Sequence, residues 1–399
     1  MNPHTDIVRL LRVHPQSLAA LQRKTGVSLP TLRKAVQELS DARWVRVVGQ
    51  AEANGGRPPA LFGLDGDYYA LIGVHLQLPG MRMATTDLTG RVLHDQRIIH
   101  DRVPLPEEVV ESISEYVEKV RDVLQGRQLL GIGIASPGFI DPVSNDILLI
   151  GRVPGWQNFP ICSRVEAVAG VPTSVANDID CMAFVEFDRT EQALERNLVY
   201  IGFDEGVKAS LFLEGSPYRG SLGNAGLIAS KPLHVEGRDD RAEISEILSV
   251  HGFNAVFERR VDQLSPDSGV LYQPIRSAVD PHERFRQIVA ADANQFPLCR
   301  DVTRLMVQTL AVAVANLIYV VQPDVLVLGG ALCNLSPLDV SILEVQIREL
   351  LPAIISNHVV IRMSGVTSRN AAAVGAAQML LEQHIIERDD FLSHTTAGK

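Results

Sequence analysis

The chain has 399 residues, is 46% hydrophobic and carries a formal net charge of −10. That length and composition exclude a disordered or fibrous chain and predict a globular protein with a small head and a large body of two lobes. The four cysteines, Cys162, Cys181, Cys299 and Cys333, lie far apart with no Cys-x-x-Cys pair, which fits a reducing cytoplasm and argues against a thiolate metal site.

Charge is unevenly spread. The first 60 residues hold nine Lys and Arg against four Asp and Glu, leaving 28 against 43 for the remainder. A basic head on an acidic body fits a confined nucleic-acid contact. No signal peptide is visible at Met1-Asn2-Pro3, and the longest apolar run, Leu305 to Val321, is interrupted by Gln308, Thr309 and Asn316. It reads as a buried helix, so no membrane partner is expected.

The head opens with a supporting helix, Asp6 to Val13, ended by His14-Pro15. Ser17 can cap a second helix that Gly26 ends, and Ser28 with Pro30 opens a third that runs to about Asp41. On this third helix Leu32, Val36 and Leu39 share an inward face, while Pro30, Thr31, Arg33, Lys34 and Gln37 lie on the opposite stripe. Arg and Lys reach phosphates or guanine edges, and Gln pairs with adenine, so the stripe suits a major groove. An ordinary solvated face has the same composition. Trp44 to Val48 and Ala60 to Leu64 read as the strands of a wing around a polar tip, Gly49 to Gly56. Arg57, held between Gly56 and Pro58-Pro59, suits a narrow minor groove. Residues 1–64 are therefore expected to form a winged helix-turn-helix domain, joined to the body by a short polar link, Asp65 to Asp67.

The body begins with three strands, Tyr69 to His75, Met81 to Asp87 and Arg91 to Ile99, and a helix from Pro106 to Leu124. Strand Leu129 to Ala135, helix Ser163 to Ala169, strand Thr173 to Ala176 and helix Cys181 to Phe187 follow. A second lobe repeats the plan with strands Leu198 to Gly202, Val207 to Leu213 and Val325 to Leu328. A helix from Asn370 to about Gln383 closes it. The pattern predicts two α/β lobes, 68–188 (with 370–386 packing back) and 189–369, around a cleft.

Ordered motifs along this body carry a resemblance. They are Gly131-Ile132-Gly133-Ile134-Ala135-Ser136-Pro137-Gly138, Arg152 with Pro154-Gly155-Trp156, Asn177-Asp178, and Pro323 to Gly330, after a head ending in Gly56-Arg57-Pro58. Together they resemble the ROK family of sugar kinases and sugar-responsive repressors, in its repressor branch. The resemblance implies an actin-like, ribonuclease H-like body, a sugar-binding cleft and, at Asp178, the position of the kinases' general base.

The departures are as informative. The kinases' Gly-Val-Asp-x-Gly-x-Thr hairpin reads Gly73-Val74-His75-Leu76-Gln77-Leu78-Pro79, and their Gly-Thr-Gly loop reads Gly202-Phe203-Asp204-Glu205-Gly206. Phosphoryl transfer is mostly positioning and charge neutralisation, so losing both loops predicts no kinase activity, no catalytic residue and no cofactor. The family's zinc motif reads Gly226-Leu227-Ile228-Ala229-Ser230 and lacks its cysteines, so no metal is expected; His234 and His251 are read as surface or helix residues.

These readings predict a cytoplasmic transcriptional regulator, most simply a repressor, that binds a two-fold double-stranded DNA operator as a homodimer or homotetramer. A small sugar derivative or acid would be held by Ser136, Gly138, Arg152, Asn177 and Asp178. Asn177 and Asp178 serve equally well as helix caps, and Arg152 either grips an anion or pairs with an acid of the body. A sugar kinase with an added head, or an effector-free oligomerisation scaffold, are the rival readings.

Overall fold

A helix that must bury one stripe and a strand that must bury one face set the layout of the head. The computed structural model describes residues 2–51, 58–151, 153–188, 197–204, 206–228, 244–366 and 369–386. Helix α1 (Pro3–Val13) is capped by Asn2, α2 (Leu18–Thr25) by Ser17, and α3 (Leu29–Asp41) by Ser28. Gly26, at φ +69°, ends α2 in the left-handed conformation and turns the chain into α3. Strands β1 (Gln16–Ser17), β2 (Val45–Gln50) and β3 (Ala60–Leu64) form an antiparallel sheet in the order β1-β3-β2. The head is thus three helices and a wing; the wing's tip and Arg57 lie outside the described residues.

The link is a packed joint, not the solvated stretch its polar residues suggest. Asp65 is 3% exposed, donates its N–H to the Trp44 carbonyl at 2.8 Å and pairs with Arg43 at 3.2 Å. Asp67 pairs with Arg46 and Arg127, and Arg127 Nε donates to the Gly66 carbonyl at 3.3 Å. The Tyr69 hydroxyl donates to the Ala42 carbonyl at 3.0 Å. Asp65 can be sequestered here because Arg43 and Arg46 meet it, while half-exposed Asp67 ties Arg46 to Arg127.

The chain divides into two compact units, and the first takes in the head, the first lobe and the terminal helix. In that lobe β4 (Tyr69–Gln77), β5 (Gly80–Asp87) and β6 (Val92–Ile99) form a meander, followed by α4 (Pro106–Leu124) and β7 (Gln128–Ser136). Short strands β8 (Phe139–Ile140), β9 (Ile147–Leu149) and β10 (Gln157–Phe159) make a small separate sheet. Then come α5 (Ile161–Ala169), β11 (Thr173–Asn177) and α6 (Asp178–Asp188), which begins three residues before its first cysteine. The main sheet runs β11-β7-β4-β5-β6, parallel over its first three strands and antiparallel over the rest. One face packs on α4 and α5 through Ile72, Val74, Ile132, Ile134, Ile113 and Val165. The other receives the terminal helix Ala371–Leu380, whose small residues let it approach the strands: a Cβ on Gly73 would fall on the Ala373 carbonyl, and one on Gly133 on that of Ala376.

The second unit is built on β12 (Leu198–Phe203), β13 (Val207–Leu213), β14 (Ser216–Tyr218), β15 (Val325–Gly330) and β16 (Val360–Met363), ordered β14-β13-β12-β15-β16. The apolar run read as a buried helix is the second half of Pro297–Val321, which is long and apolar enough to cross a membrane. Its Cys299, Val302, Met306, Leu310, Val314 and Ile318 instead lie in this unit's core with Phe203, Phe253, Phe257 and Phe285.

Candidate functional site

Helix α3 owes its two faces to the spacing of its apolar residues. Leu32, Ala35, Val36 and Leu39 are buried, while Pro30, Thr31, Arg33, Lys34 and Gln37 are exposed. The exposed stripe is partly satisfied within the head. Gln37 Nε2 donates to Asp41 at 2.8 Å, Lys34 lies 3.8 Å from Glu38, and His4 meets Glu38 at 2.7 Å. Exposed pairs of this kind are worth little and exchange readily for a phosphate or base edge.

Of the residues predicted to hold a ligand, Ser136, Gly138, Asn177 and Asp178 come together at the carboxyl edge of β4, β7 and β11, but in two groups. Asn177, the last residue of β11, sits beside Ser136 in register. Its amide donates to the Gly138 carbonyl at 3.3 Å, and its Oδ1 accepts from Ile179 N at 3.1 Å. Ser136 is fully buried and its hydroxyl donates to the Pro137 carbonyl at 3.0 Å, a placement that differs from the ligand-facing hydroxyl expected of it. Strand alternation is the reason, because Ser136 lies one position beyond the His75–Ala135 row and therefore points to the opposite face. Gly138 has φ +88°, and a Cβ there would fall on the Leu149 carbonyl, so the glycine keeps the turn close to its neighbouring strand. Arg152 lies outside the described residues, but Trp156 of the same segment is buried and donates from Nε1 to the Pro104 carbonyl at 2.9 Å.

Asp178 forms the second group with a residue that sequence reasoning treated only as a departure. Its Oδ2 stands 3.9 Å from His75 Nε2, while its Oδ1 accepts from Ile179 N at 2.9 Å. His75 is 7% exposed. The signal that could have found it is parity: His75 follows Leu71 and Gly73 at two-residue spacing, and so faces the same side of β4 as they do. Capping and a second contact are therefore compatible in Asp178, because Asn177 and one oxygen of Asp178 serve Ile179 while the other oxygen faces His75.

In the second unit, Asp204 Oδ1 lies 3.0 Å from His282 Nε2, and its carbonyl accepts from Val250 N at 2.9 Å. This acid of the altered glycine loop is thus engaged within its own unit. Glu205, Ala229, Ser230 and His234 lie outside the described residues, and His251 is exposed on the helix Val250–Asp262. Among the described residues no group of three His, Cys, Asp or Glu stands close enough to hold a metal ion.

The family model described as "ROK family" matches residues 72–383. The xylose repressor of Caldicellulosiruptor bescii is 23% identical over 324 residues, covering 79% of each chain. The N-acetyl-D-glucosamine kinase of Pasteurella multocida is 25% identical over 277 residues, 64% of this chain and 84% of the kinase. Among solved structures, a ROK family transcriptional regulator described as a homolog of the E. coli MLC protein superposes with a TM-score of 0.77 at 21% identity, covering 98% of each chain. A ROK family glucokinase from Streptomyces griseus, solved with glucose and AMPPNP, gives 0.63 at 20% identity, with 98% of the kinase matched by 78% of this chain. The regulator's fold therefore extends over nearly all of this chain, and the kinase's over about its body.

Proposed function

The chain belongs to the ROK family, and on that premise we propose that it is a DNA-binding transcriptional repressor whose body senses a small sugar-like or anionic effector. The observation that carries the reading is the exposed stripe Pro30, Thr31, Arg33, Lys34 and Gln37 on a capped helix of a winged head. Such a helix enters a major groove, with Arg33 and Lys34 on phosphates or guanine and Gln37 on adenine, while Arg57 in the wing reaches the adjacent minor groove. A two-fold operator then matches a homodimer or homotetramer in the cytoplasm. The xylose repressor relatives and the regulator fold support this reading.

The effector is held at the carboxyl edge of the first lobe's sheet. Asp178 accepts from a ligand hydroxyl, Asn177 and Gly138 shape the adjoining turn, Ser136 supports it from within, and Arg152 grips an anionic group. Phosphoryl transfer is not part of the function. The kinase hairpin's acid is His75 here, and Asp204 of the second loop is engaged by His282.

The test is twofold. Purified protein is titrated against duplexes from its own promoter region, with and without sugars, sugar phosphates and sugar acids, and separately with magnesium-ATP by calorimetry. Ligand-dependent binding to one duplex supports the reading. Turnover of ATP, or indifference to duplex DNA at low salt, refutes it.

A further inference from the structure

The main sheet carries a row of side chains that neither the cleft motifs nor the DNA-reading helix use. In register, His75 on β4 stands opposite Arg82 on β5, and Arg82 opposite Arg97 on β6. Directly opposed residues share a face, so these three line up on the face that receives the terminal helix. That helix begins just beyond Arg82: the guanidinium donates from Nη1 to Asn370 Oδ1 at 3.4 Å, and Asn370 is the residue before Ala371. Asn370 makes no side-chain cap for its own helix. Arg369 stands next to it and acts on Arg82 from that side.

The charges at this spot do not balance. Among the described residues, Arg97 and Arg369 act on Arg82 as like charges, and the acid that opposes them is Asp95, which meets Arg82 at 3.3 Å and is itself 47% exposed. The Arg82 side chain is 12% exposed, and burial, then Arg97 and Arg369, hold its pKa below the ordinary arginine value, with Asp95 acting in the opposite sense. Asp178, beyond His75, is a second acid facing the row. A cluster of like charges at the start of a helix is relieved by a bound anion, which guanidinium groups grip in two-pronged fashion.

The neighbouring gap has a different chemistry. His75 Nε2 and Asp178 Oδ2, 3.9 Å apart, are too far for a direct hydrogen bond. A hydroxyl oxygen seated about 2.8 Å from each would accept from one and donate to the other, which only a hydroxyl or water does. Arg82 is the register partner of His75 on the adjoining strand, whose backbone lies about 4.8 Å away, so one hydroxylated ligand can reach toward both.

We infer that Arg82, Arg97 and Arg369 form an anion subsite beside the His75–Asp178 hydroxyl subsite, and that the effector is a hydroxylated compound carrying a phosphate or carboxylate there, apart from the group assigned above to Arg152. The inference deepens the sensing role proposed above and rests on it for the ligand, whereas the anion subsite stands by itself.

The full-length chain is melted with and without inorganic phosphate, as wild type and as R97A/R369A, both of which remove exposed side chains. Calorimetry then compares D-glucose, D-glucose 6-phosphate and D-gluconate, and D-xylose with D-xylonate. Millimolar phosphate is expected to raise the melting temperature of the wild type and not of the double variant. An anionic sugar is expected to bind at least about tenfold more tightly than its neutral parent, a preference the double variant loses. Preference among the anionic sugars separates phosphate from carboxylate. Equal protection of both proteins by phosphate, or a neutral sugar binding as tightly as its anionic partner, overturns the anion subsite. If phosphate protection depends on Arg97 and Arg369 but no sugar improves on it, the subsite stands and the sugar-sensing reading falls.

Discussion

Arg12, in the first helix of the head, donates from Nη1 to Glu382 Oε2 at 2.8 Å, although 370 positions separate them in the chain. The same guanidinium donates to Gln378 Oε1 at 2.9 Å and lies 5.5 Å from the centre of the Phe184 ring on α6. Arg9 also pairs with Glu382, and the Thr5 hydroxyl donates to the Ile386 carbonyl at 3.2 Å. Beneath these bonds Ile7, Leu11, Leu39, Trp44, Tyr69, Leu71, Leu380 and Ile386 share one apolar core. The head is thus fastened to the first lobe by its own helix and by the chain's last described turns. Helix α6 joins the two regions of interest, since Asp178 opens it and Phe184 underlies Arg12.

Removing that fastening is costly. The Arg12 side chain is 2% exposed and Glu382 is 12% exposed, so Arg12→Ala leaves a largely buried acid with Arg9 alone. A loss of about 2 to 3 kcal/mol is expected, less than for a carboxylate stripped of every partner. Urea unfolding of both proteins measures it; a change below about 0.5 kcal/mol, the range of ordinary surface substitutions, would deny the joint its role.

The close approach of the terminal helix makes a second prediction. Gly73→Ala, and likewise Gly375→Ala, whose Cβ would meet the Cys181 carbonyl, force apart backbones that touch. Overpacking of this kind is expected to cost about 3 kcal/mol or more and to lower soluble yield. Gly365→Ala, at a position with open space around it, serves as the control and is expected to be nearly neutral.

On the head, Arg33→Ala with Lys34→Ala removes two exposed charges from α3. Stability should change little, whereas affinity for the operator falls and the slope of log K against log salt flattens by about 0.9 for each phosphate no longer neutralised. Fluorescence anisotropy at several salt concentrations reads both quantities; an unaltered slope would remove α3 from the DNA interface.

At the sheet edge, Asp178→Asn keeps shape and removes charge. Effector affinity is expected to drop about tenfold or more, as for loss of a charged hydrogen bond, while operator binding without effector is unchanged. Calorimetry and anisotropy on one preparation separate the two effects.

The thiols carry a pH prediction. Burial first, and nearby acids after it, push Cys162 up to about 12, and burial does the same to Cys299, against a usual value of 9.0. Only the thiolate reacts, so iodoacetamide at mildly alkaline pH should label exposed Cys333 well before buried Cys162 or Cys299. Because the unfolded thiols release their protons first, these two groups lower stability as pH rises above 9.0 and go on doing so to about 12. Peptide mass mapping and urea melts at rising pH check the two statements.

Local chemistry made much of this molecule readable in advance. Ser17, Gly26, Ser28 and Pro30 mark the ends of α2 and α3 because capping and turning depend on a few adjacent residues. The apolar runs between Tyr69 and Ile99, broken at Pro79-Gly80 and at Leu88-Thr89-Gly90, likewise announce the meander. Pairings made at a distance were not readable. The two residues of β1 are a strand only because Leu61 and Phe62 lie beside them, and α6 starts at Asp178 because Asn177 turns its oxygen onto Ile179.

The amino-acid order by itself determined the capped helices, the apolar stripe of α3, the basic head and the departure of His75 from the kinase hairpin, since each depends on neighbours a few positions away. Only the tertiary structure decided that Asp65 is buried, that Ser136 turns inward, that Asp178 faces His75, and that Arg82 and Arg97 stand in one row. Those relationships are set by strand register and helix docking, and a shift of one residue in either would send the same side chains to the other face.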